Sequence, residues 1–239
     1  EILMGIRGSL RDKVSFYKLD ANDFTLPSFI DKTKLENCLA LKPPPTPYWR
    51  DTKYRMMCRW WLVHMPRYVS AYDYVMRLDD DSFIEEKVPQ DLFKWMNEKK
   101  LIYASNFVHV DCGMCNFGMK GHFEKTHPTK KDLIQQMFMD QEMDMRNVRS
   151  HPFRSLLSIT KDVDMNANLQ KMKLPMPIIY YNNFHITKPS FWLQPDVQET
   201  INQIDRTGNI FYYRWGDAPL QSIIVLLYAQ PEQISRCIF

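Results

Sequence analysis

No stretch of the 239 residues approaches the roughly 20 apolar residues of a membrane span. The opening EILMGIRGS also lacks a basic segment leading into a long apolar core. The chain as given is expected to be soluble. Cys38, Cys58, Cys112, Cys115 and Cys237 form no regular framework, and an odd number of cysteines in a chain of this length points to reduced thiols. No polybasic block and no RNA-binding motif is present. With 31 basic against 28 acidic residues and a net charge of +3, nucleic acid is not the expected partner, whereas a mildly basic surface suits anionic, phosphorylated ligands. Neither an internal repeat nor an interdomain linker stands out, so 1–239 reads as a single domain.

What the sequence does have is apolar and aromatic material, 45% and 13%, which is ample for a core. Runs rich in apolar, β-branched and aromatic residues predict strands over 2–6, 14–19, 72–78, 101–108, 176–186 and 209–215. The first two are too close for a parallel crossover, so an antiparallel pair is expected if nothing is missing between them. Helical spacing predicts helices over 51–65, ended by Pro66, over 91–100, over 190–208, stopped by Gly208, and over 218–229. The stretch 128–173 reads as mostly helical, and 41–49 as a rigid proline-rich loop. The alternation implies an α/β fold.

The segment YVMRLDDDSFIEE (74–86) places three aspartates at the carboxyl end of an apolar strand. Adjacent carboxylates repel, and desolvating them is costly unless a cation or hydrogen bonds compensate. Ligands of open α/β sheets gather at that end of the strands. Alternation along an extended chain would turn Asp79 and Asp81 to one side, an oxygen half-site for Mg²⁺ or Mn²⁺ that keeps positions open for phosphate oxygens. A solvated acidic turn is the plainer alternative.

Four segments, in order along the chain, carry a family resemblance. RWGDAP within FYYRWGDAPLQSI (211–223) resembles the motif of the fungal α-1,2-mannosyltransferases, the glycolipid and glycoprotein 2-α-mannosyltransferases. YRMMCRW (54–60), YDYVMRLDDD (72–81) and YYNNFHI (180–186) are similar to that family's YRHMCR, YxYYWRVEPD and FWSNFEI blocks. The resemblance implies a GT-A glycosyltransferase fold, a single Rossmann-like domain with a mixed central sheet flanked by helices. Its nucleotide-binding half would span about 1–110 and its acceptor-side half about 111–239. It also implies a nucleotide-sugar donor and Mn²⁺ or Mg²⁺ held by Asp79 and Asp81. The donor it implies is GDP-mannose, although His185 in place of the family's acidic residue also permits UDP-xylose or UDP-glucose, and the acceptor is a glycan or glycoprotein hydroxyl.

Two departures matter. His185 stands where the family has an acidic residue, and an imidazole is a poor substitute for a carboxylate attacking an anomeric carbon. The family's additional histidine ligand would lie beyond Phe239. An inverting reaction is therefore slightly favoured, with Asp217 as the expected base and His185 orienting substrate. Asp217 stands at a helix start, where capping alone would also account for it.

Arg7, in GIRGS, resembles the family's VRNS segment and is a candidate for the nucleotide, with a surface arginine as the alternative; Arg214 is a candidate for the diphosphate, with pairing to Asp217 or another acid as the alternative. Tyr180, Tyr181, Asn182, Asn183 and Trp215 are candidates for sugar hydroxyls and stacking, with core packing as the alternative. His109, Cys112, Cys115 and His122 have the spacing HxxCxxCx₆H, which offers four zinc ligands, although the loop is short. Two other functional classes are compatible with the motifs: a metal-dependent phosphoryl-transfer or hydrolytic enzyme built on the triplet, and a carbohydrate-binding relative without turnover.

Overall fold

The computed structural model describes residues 13–41, 50–144, 155, 157, 159 and 171–237. The expected strand at 2–6, Arg7 and positions 42–49 of the proline-rich loop lie outside the described residues.

Among the described residues, seven strands form two sheets. β1 (Val75–Leu78), β6 (Phe184–Thr187), β2 (Tyr103–Ser105) and β7 (Ile234–Arg236) make a mixed sheet in the order β1-β6-β2-β7. β6 is antiparallel to both neighbours, while β2 and β7 run parallel. β3 (Val108–Val110), β5 (Lys171–Tyr180) and β4 (Phe138–Asp144) make a second, antiparallel sheet in the order β3-β5-β4. Every residue of β6 is buried. Its two polar side chains are accordingly partnered: His185 Nδ1 lies 3.1 Å from the Asn182 carbonyl, and Thr187 Oγ1 accepts from Trp192 Nε1 at 2.7 Å.

Two expected strands are each divided between the sheets. The run 101–108 breaks after Ser105 and the run 176–186 after Tyr180, and the breaks lie side by side, with the Tyr181 N–H donating to the Phe107 carbonyl at 3.0 Å. A continuous apolar run reads as one strand, but here the chain changes sheet in mid-run, and the polar Asn182 and Asn183 fall at the crossing.

The helix expected over 51–65 begins at Thr52, capped by Asp51, and widens into a π-turn at Trp60–His64. It then continues through Met65–Tyr68. Pro66 does not end it: the π-turn comes just before, and Pro66 falls in the first turn of the following segment, where no intrahelical N–H is required. The helix Leu92–Glu98 is as expected. Pro195–Arg206 is also helical, and Gly208 follows it at φ +69°. A Cβ on Gly208 would stand 2.7 Å from the Tyr212 ring, so only glycine fits.

Three expectations are corrected. Residues 209–215 are not a strand: Asn209–Tyr212 forms a helical turn whose Ile210, Phe211 and Tyr212 are buried, and composition alone does not separate a buried aromatic turn from a strand. The helical expectation for 128–173 fails at its described strand segments: after Lys131–Gln136 the chain enters β4, which pairs with β5, while 145–154, 156, 158 and 160–170 lie outside the described residues. Residues 14–19 have no strand structure, and Val14, Phe16 and Tyr17 are exposed.

The main core packs Asp217–Tyr228, a helix buried nearly all round, against Trp192, Phe211, Tyr213 and Trp215. A smaller cluster around Met96, Ala104, Phe184 and Ile186 lies against the mixed sheet. No helix among the described residues is long and apolar enough to cross a membrane.

Candidate functional site

A cavity of about 330 Å³ opens where β1 ends, where β5 crosses to β6 and where the Asp217–Tyr228 helix begins. Arg77, Asp79, Asp111, Asn182, Arg214 and Asp217 line it, together with Arg50, Tyr54, Tyr181 and Asn183. Its size is at the small-ligand end of ordinary binding pockets. A larger cavity of about 680 Å³, walled by Val108, Leu226 and Ile234, has no carboxylate in its lining and lies apart from these residues. The carboxylates are in the smaller one.

Along β1 the usual burial pattern is inverted. Met76 and Leu78 are 38% and 40% exposed, while Arg77 between them is 6% exposed. Two carboxylates hold Arg77 there: its Nε donates to Asp79 Oδ1 at 2.7 Å and its Nη1 to Asp217 Oδ2 at 2.6 Å. Burial works to lower the pKa of the guanidinium, but the Asp217 charge and the hydrogen bonds to Asp217 and Asp79 outweigh it, so the group stays charged.

Asp217 is the first residue of its helix and its side chain makes no cap bond; it turns inward to Arg77 and to Asn182 Nδ2 at 2.9 Å. Capping therefore does not account for it. Burial acts to raise its pKa, but the Arg77 charge and the hydrogen bonds from Arg77, Asn182 and Cys58 hold it below the ordinary carboxylate range. Such a carboxylate is ionised at neutral pH and a weak base.

Asp79 sits at the cavity with its side chain 33% exposed, and its N–H donates to the Asn183 carbonyl at 2.9 Å. The Ser82 N–H closes a turn onto the Asp79 carbonyl at 2.9 Å. Extended alternation thus stops at Leu78 and gives no reason for Asp81 to share a face with Asp79; Asp80 and Asp81 are exposed, and Asp81 is not in the cavity lining.

For a divalent ion, the described residues contain no group of three His, Cys, Asp or Glu side chains able to hold one. The donors that do fit are oxygens: Asp79 Oδ2, with Oδ1 already taken by Arg77, and the buried Asn183 Oδ1, which has no partner. Such a sparse oxygen set matches Mg²⁺ or Mn²⁺ shared with phosphate, not an all-protein cage.

Arg214 stands at φ +71°, an uncommon backbone state for a non-glycine residue, of a kind concentrated at functional sites. Its Nε is buried without a partner, and its Nη2 lies 3.7 Å from Asp111. Tyr181 stacks on Phe107 with ring centroids 4.7 Å apart at the cavity edge.

Other expected site residues lie elsewhere. His185 is buried beneath the cavity, its ring 5.2 Å from that of Tyr103 and not in the cavity lining. Burial pushes its imidazole down to about 4. Trp215 is fully buried, its Nε1 donating to the Phe117 carbonyl at 2.9 Å. Tyr180 borders the larger cavity.

The four zinc candidates do not converge. His109 lies exposed on β3, and His122 packs against Phe123 and Trp215 with Nε2 unpartnered. Cys112 and Cys115 pair through a thiol hydrogen bond, and that bond draws the Cys112 thiol down to about 6 while raising that of Cys115.

Sequence reasoning passed over Arg50, Arg77 and Asp111. A signal existed for Arg77: it is a charged residue inside an apolar strand, two residues before the acidic triplet.

The mixed sheet flanked by helices, with the cavity at its edge, fits the GT-A fold that the family resemblance implies. Solved structures agree. The mannosyltransferase Ktr4p from S. cerevisiae in complex with GDP superposes with a TM-score of 0.69 at 18% identity, covering 91% of this chain and 52% of that one. The Mn/GDP form of core-mannan synthase A (CmsA/Ktr4) from Aspergillus fumigatus gives 0.68 at 19% identity, covering 91% and 55%. At such identities the likeness shows the fold.

The chain belongs to the glycolipid 2-alpha-mannosyltransferase family, which matches residues 3–237. It is 26% identical over 243 residues to the glycolipid 2-alpha-mannosyltransferase of Saccharomyces cerevisiae, covering 98% of this chain and 48% of that protein. To the O-glycoside alpha-1,2-mannosyltransferase omh1 of Schizosaccharomyces pombe it is 26% identical over 225 residues, covering 93% and 52%. The chain thus spans about half the length of the curated relatives it matches.

Proposed function

We propose that the protein is a metal-dependent glycosyltransferase that moves mannose from GDP-mannose to a glycan hydroxyl. The observation that carries the reading is the cavity in which Asp79, Arg214, Asn183 and Asp217 meet. Support for the donor comes from the relatives, which are mannosyltransferases, two of them solved with GDP.

Mn²⁺ or Mg²⁺ would be held by Asp79, the one member of the triplet in the cavity lining, with Asn183 Oδ1 or Asp81 as the second oxygen, and when bound it would neutralise charge on the departing diphosphate. Arg214, with its free Nε–H, is suited to the same phosphates. Asn182, Asn183 and Tyr181 orient sugar hydroxyls. Asp217 faces the anomeric region as a fixed negative charge, where it stabilises the positive charge that grows as the bond to the diphosphate breaks. Inversion makes Asp217 the proton acceptor as well, and in this state Arg77 opposes that role by weakening its basicity. NMR of the product anomer reads the stereochemical course directly.

A second reading, a nucleotide-sugar-binding relative without turnover, is favoured by the neutral, buried His185 at the family's acidic position. One experiment separates the two. Melting is followed with Mn²⁺ and a panel of GDP- and UDP-sugars, and nucleoside diphosphate release is then measured for any ligand that stabilises. A ligand at 100 times its Kd adds about 2.7 kcal/mol. Stabilisation with release supports transfer, stabilisation without release supports the binding relative, and no stabilisation by any nucleotide sinks both.

A further inference from the structure

Among the described residues, Arg77 is the one that hydrogen-bonds both Asp79 and Asp217. Its guanidinium carbon lies 4.1 Å from the centre of the Trp61 ring, so a cation–π contact fixes the plane from which both hydrogen bonds leave. Trp61 belongs to the π-turn, and its carbonyl accepts from Gln221 Nε2 at 3.1 Å. Gln221 Oε1 in turn accepts from Asn182 Nδ2 at 3.2 Å, and the same nitrogen donates to Asp217 Oδ2. Arg77, Asp217, Asn182, Gln221 and Trp61 therefore close a ring of contacts, drawn from a strand, two helical segments and the crossing between sheets. Gln221 is fully buried and outside the cavity lining, and the mechanism above assigns it no task.

We propose that Arg77 is the positioning residue of this site, locked by Trp61 and Gln221 so that the donor-side carboxylate Asp79 and the buried Asp217 keep one fixed spacing. A planar guanidinium does this because its N–H directions are rigid relative to one another, whereas a lysine ammonium offers a single rotatable point charge. The π-turn has a role in the same device: it presents the Trp61 ring to Arg77 and the Trp61 carbonyl to Gln221, consistent with the frequency of such turns at functional sites. The substrate roles of the two carboxylates rest on the glycosyltransferase reading; the ring itself is geometry.

The test uses Arg77→Lys, which keeps the charge, and Gln221→Met, which opens the ring on the side away from the cavity. Sugar transfer and Mn²⁺-dependent GDP binding are measured for both and for the double variant. Misplacing reacting groups by about 1 Å costs on the order of 100-fold in rate. Arg77→Lys is expected to lower kcat by that order while KM for the donor and the affinity for Mn²⁺–GDP move less than about threefold. Gln221→Met is expected to lower kcat about tenfold with the same unchanged binding, and the double variant to lose less than the product of the two, as members of one connected unit do. If Arg77→Lys does not fold, Gln221→Met decides alone. Near wild-type kcat in the folded variants, or losses that simply multiply, overturns the positioning role. A wild type without turnover overturns the transferase reading and this role with it, and so is told apart from active wild type with active variants.

Discussion

Two regions of the cavity carry the same functional group in opposite settings. In its floor, Asp217 is 4% exposed and ionised against a buried arginine. At its rim, the Asp79–Ser82 turn leaves Asp80 and Asp81 in solvent, followed by Phe83 at 83% exposure. A carboxylate in the floor is part of the fold's electrostatic accounting, because removing it leaves the buried Arg77 with only the partly exposed Asp79 as counter-charge. In the turn a carboxylate is nearly free of the fold and available to a ligand. Stability and function are entangled in the first region and separable in the second.

The largest expected effect tests the floor. Breaking a buried ion pair by removing one partner typically destabilises by about 3–5 kcal/mol, and Asp217→Ala is expected in that range by urea unfolding, with transfer lost. Asp217→Asn, which keeps the shape and the room for Asn182, should lose less stability. A cost below about 1 kcal/mol for the alanine variant would mean that Arg77 finds another partner and that the two regions are not so different.

The next effect concerns His185, whose imidazole burial lowers from 6.5 to about 4. The unfolded chain binds the proton more readily than the folded one between those values, so stability falls as pH drops from about 6.5 towards 4 and is unaffected above that window. The full span corresponds to about 3 kcal/mol. Urea unfolding at pH 7 and pH 4.5 in wild type and His185→Gln should show a smaller loss in the variant. Equal losses would assign the acid sensitivity to other groups, with His122, also pushed down to about 4 by burial, next to be tested.

How much of this was legible in the sequence divides along the same line. The turn was legible, since three aspartates after YVMRL announce a strand end with charge concentrated on it, and RWGDAP with its companion blocks pointed to the fold and the family. The floor was not. Arg77 looks like an ordinary charged residue in an apolar strand, and its pairing with Asp217 spans 140 residues. Asp217 looked like a helix cap because local sequence reports the helix start but not which way the side chain turns. His185 was visible as a departure from the family pattern, but its burial comes from lying between β1 and β2, with Arg77 and Ser105 as its register partners. The sheet crossings were hidden for a related reason: an apolar run is equally compatible with one strand or with two in different sheets.

The smaller effects belong to the turn. Asp79→Ala removes one of the two partners of Arg77 but leaves Asp217 in place, and with the side chain one-third exposed the stability loss is expected to be about 1 kcal/mol or less. Mn²⁺-dependent nucleotide binding should nevertheless disappear. The same binding with wild-type affinity in this variant would remove Asp79 from the metal assignment.

Asp81→Ala is the smallest and the most discriminating change. The side chain is exposed and has no ion pair among the described residues, so unfolding free energy should stay within about 0.5 kcal/mol of wild type. If Asp81 completes the metal site with Asp79, Mn²⁺-dependent nucleotide stabilisation should fall sharply in a protein that melts normally without ligand. If the turn keeps Asp81 away from the cavity, as the end of β1 alternation at Leu78 suggests, nucleotide binding should be unchanged. Unchanged binding would leave Asp79 as the single carboxylate ligand, with Asn183 Oδ1, the unpartnered buried acceptor beside it, as the next oxygen to substitute. Measuring Asn183→Leu alongside Asp81→Ala therefore decides which second oxygen the cation takes, and shows whether the acidic triplet contributes one ligand or two.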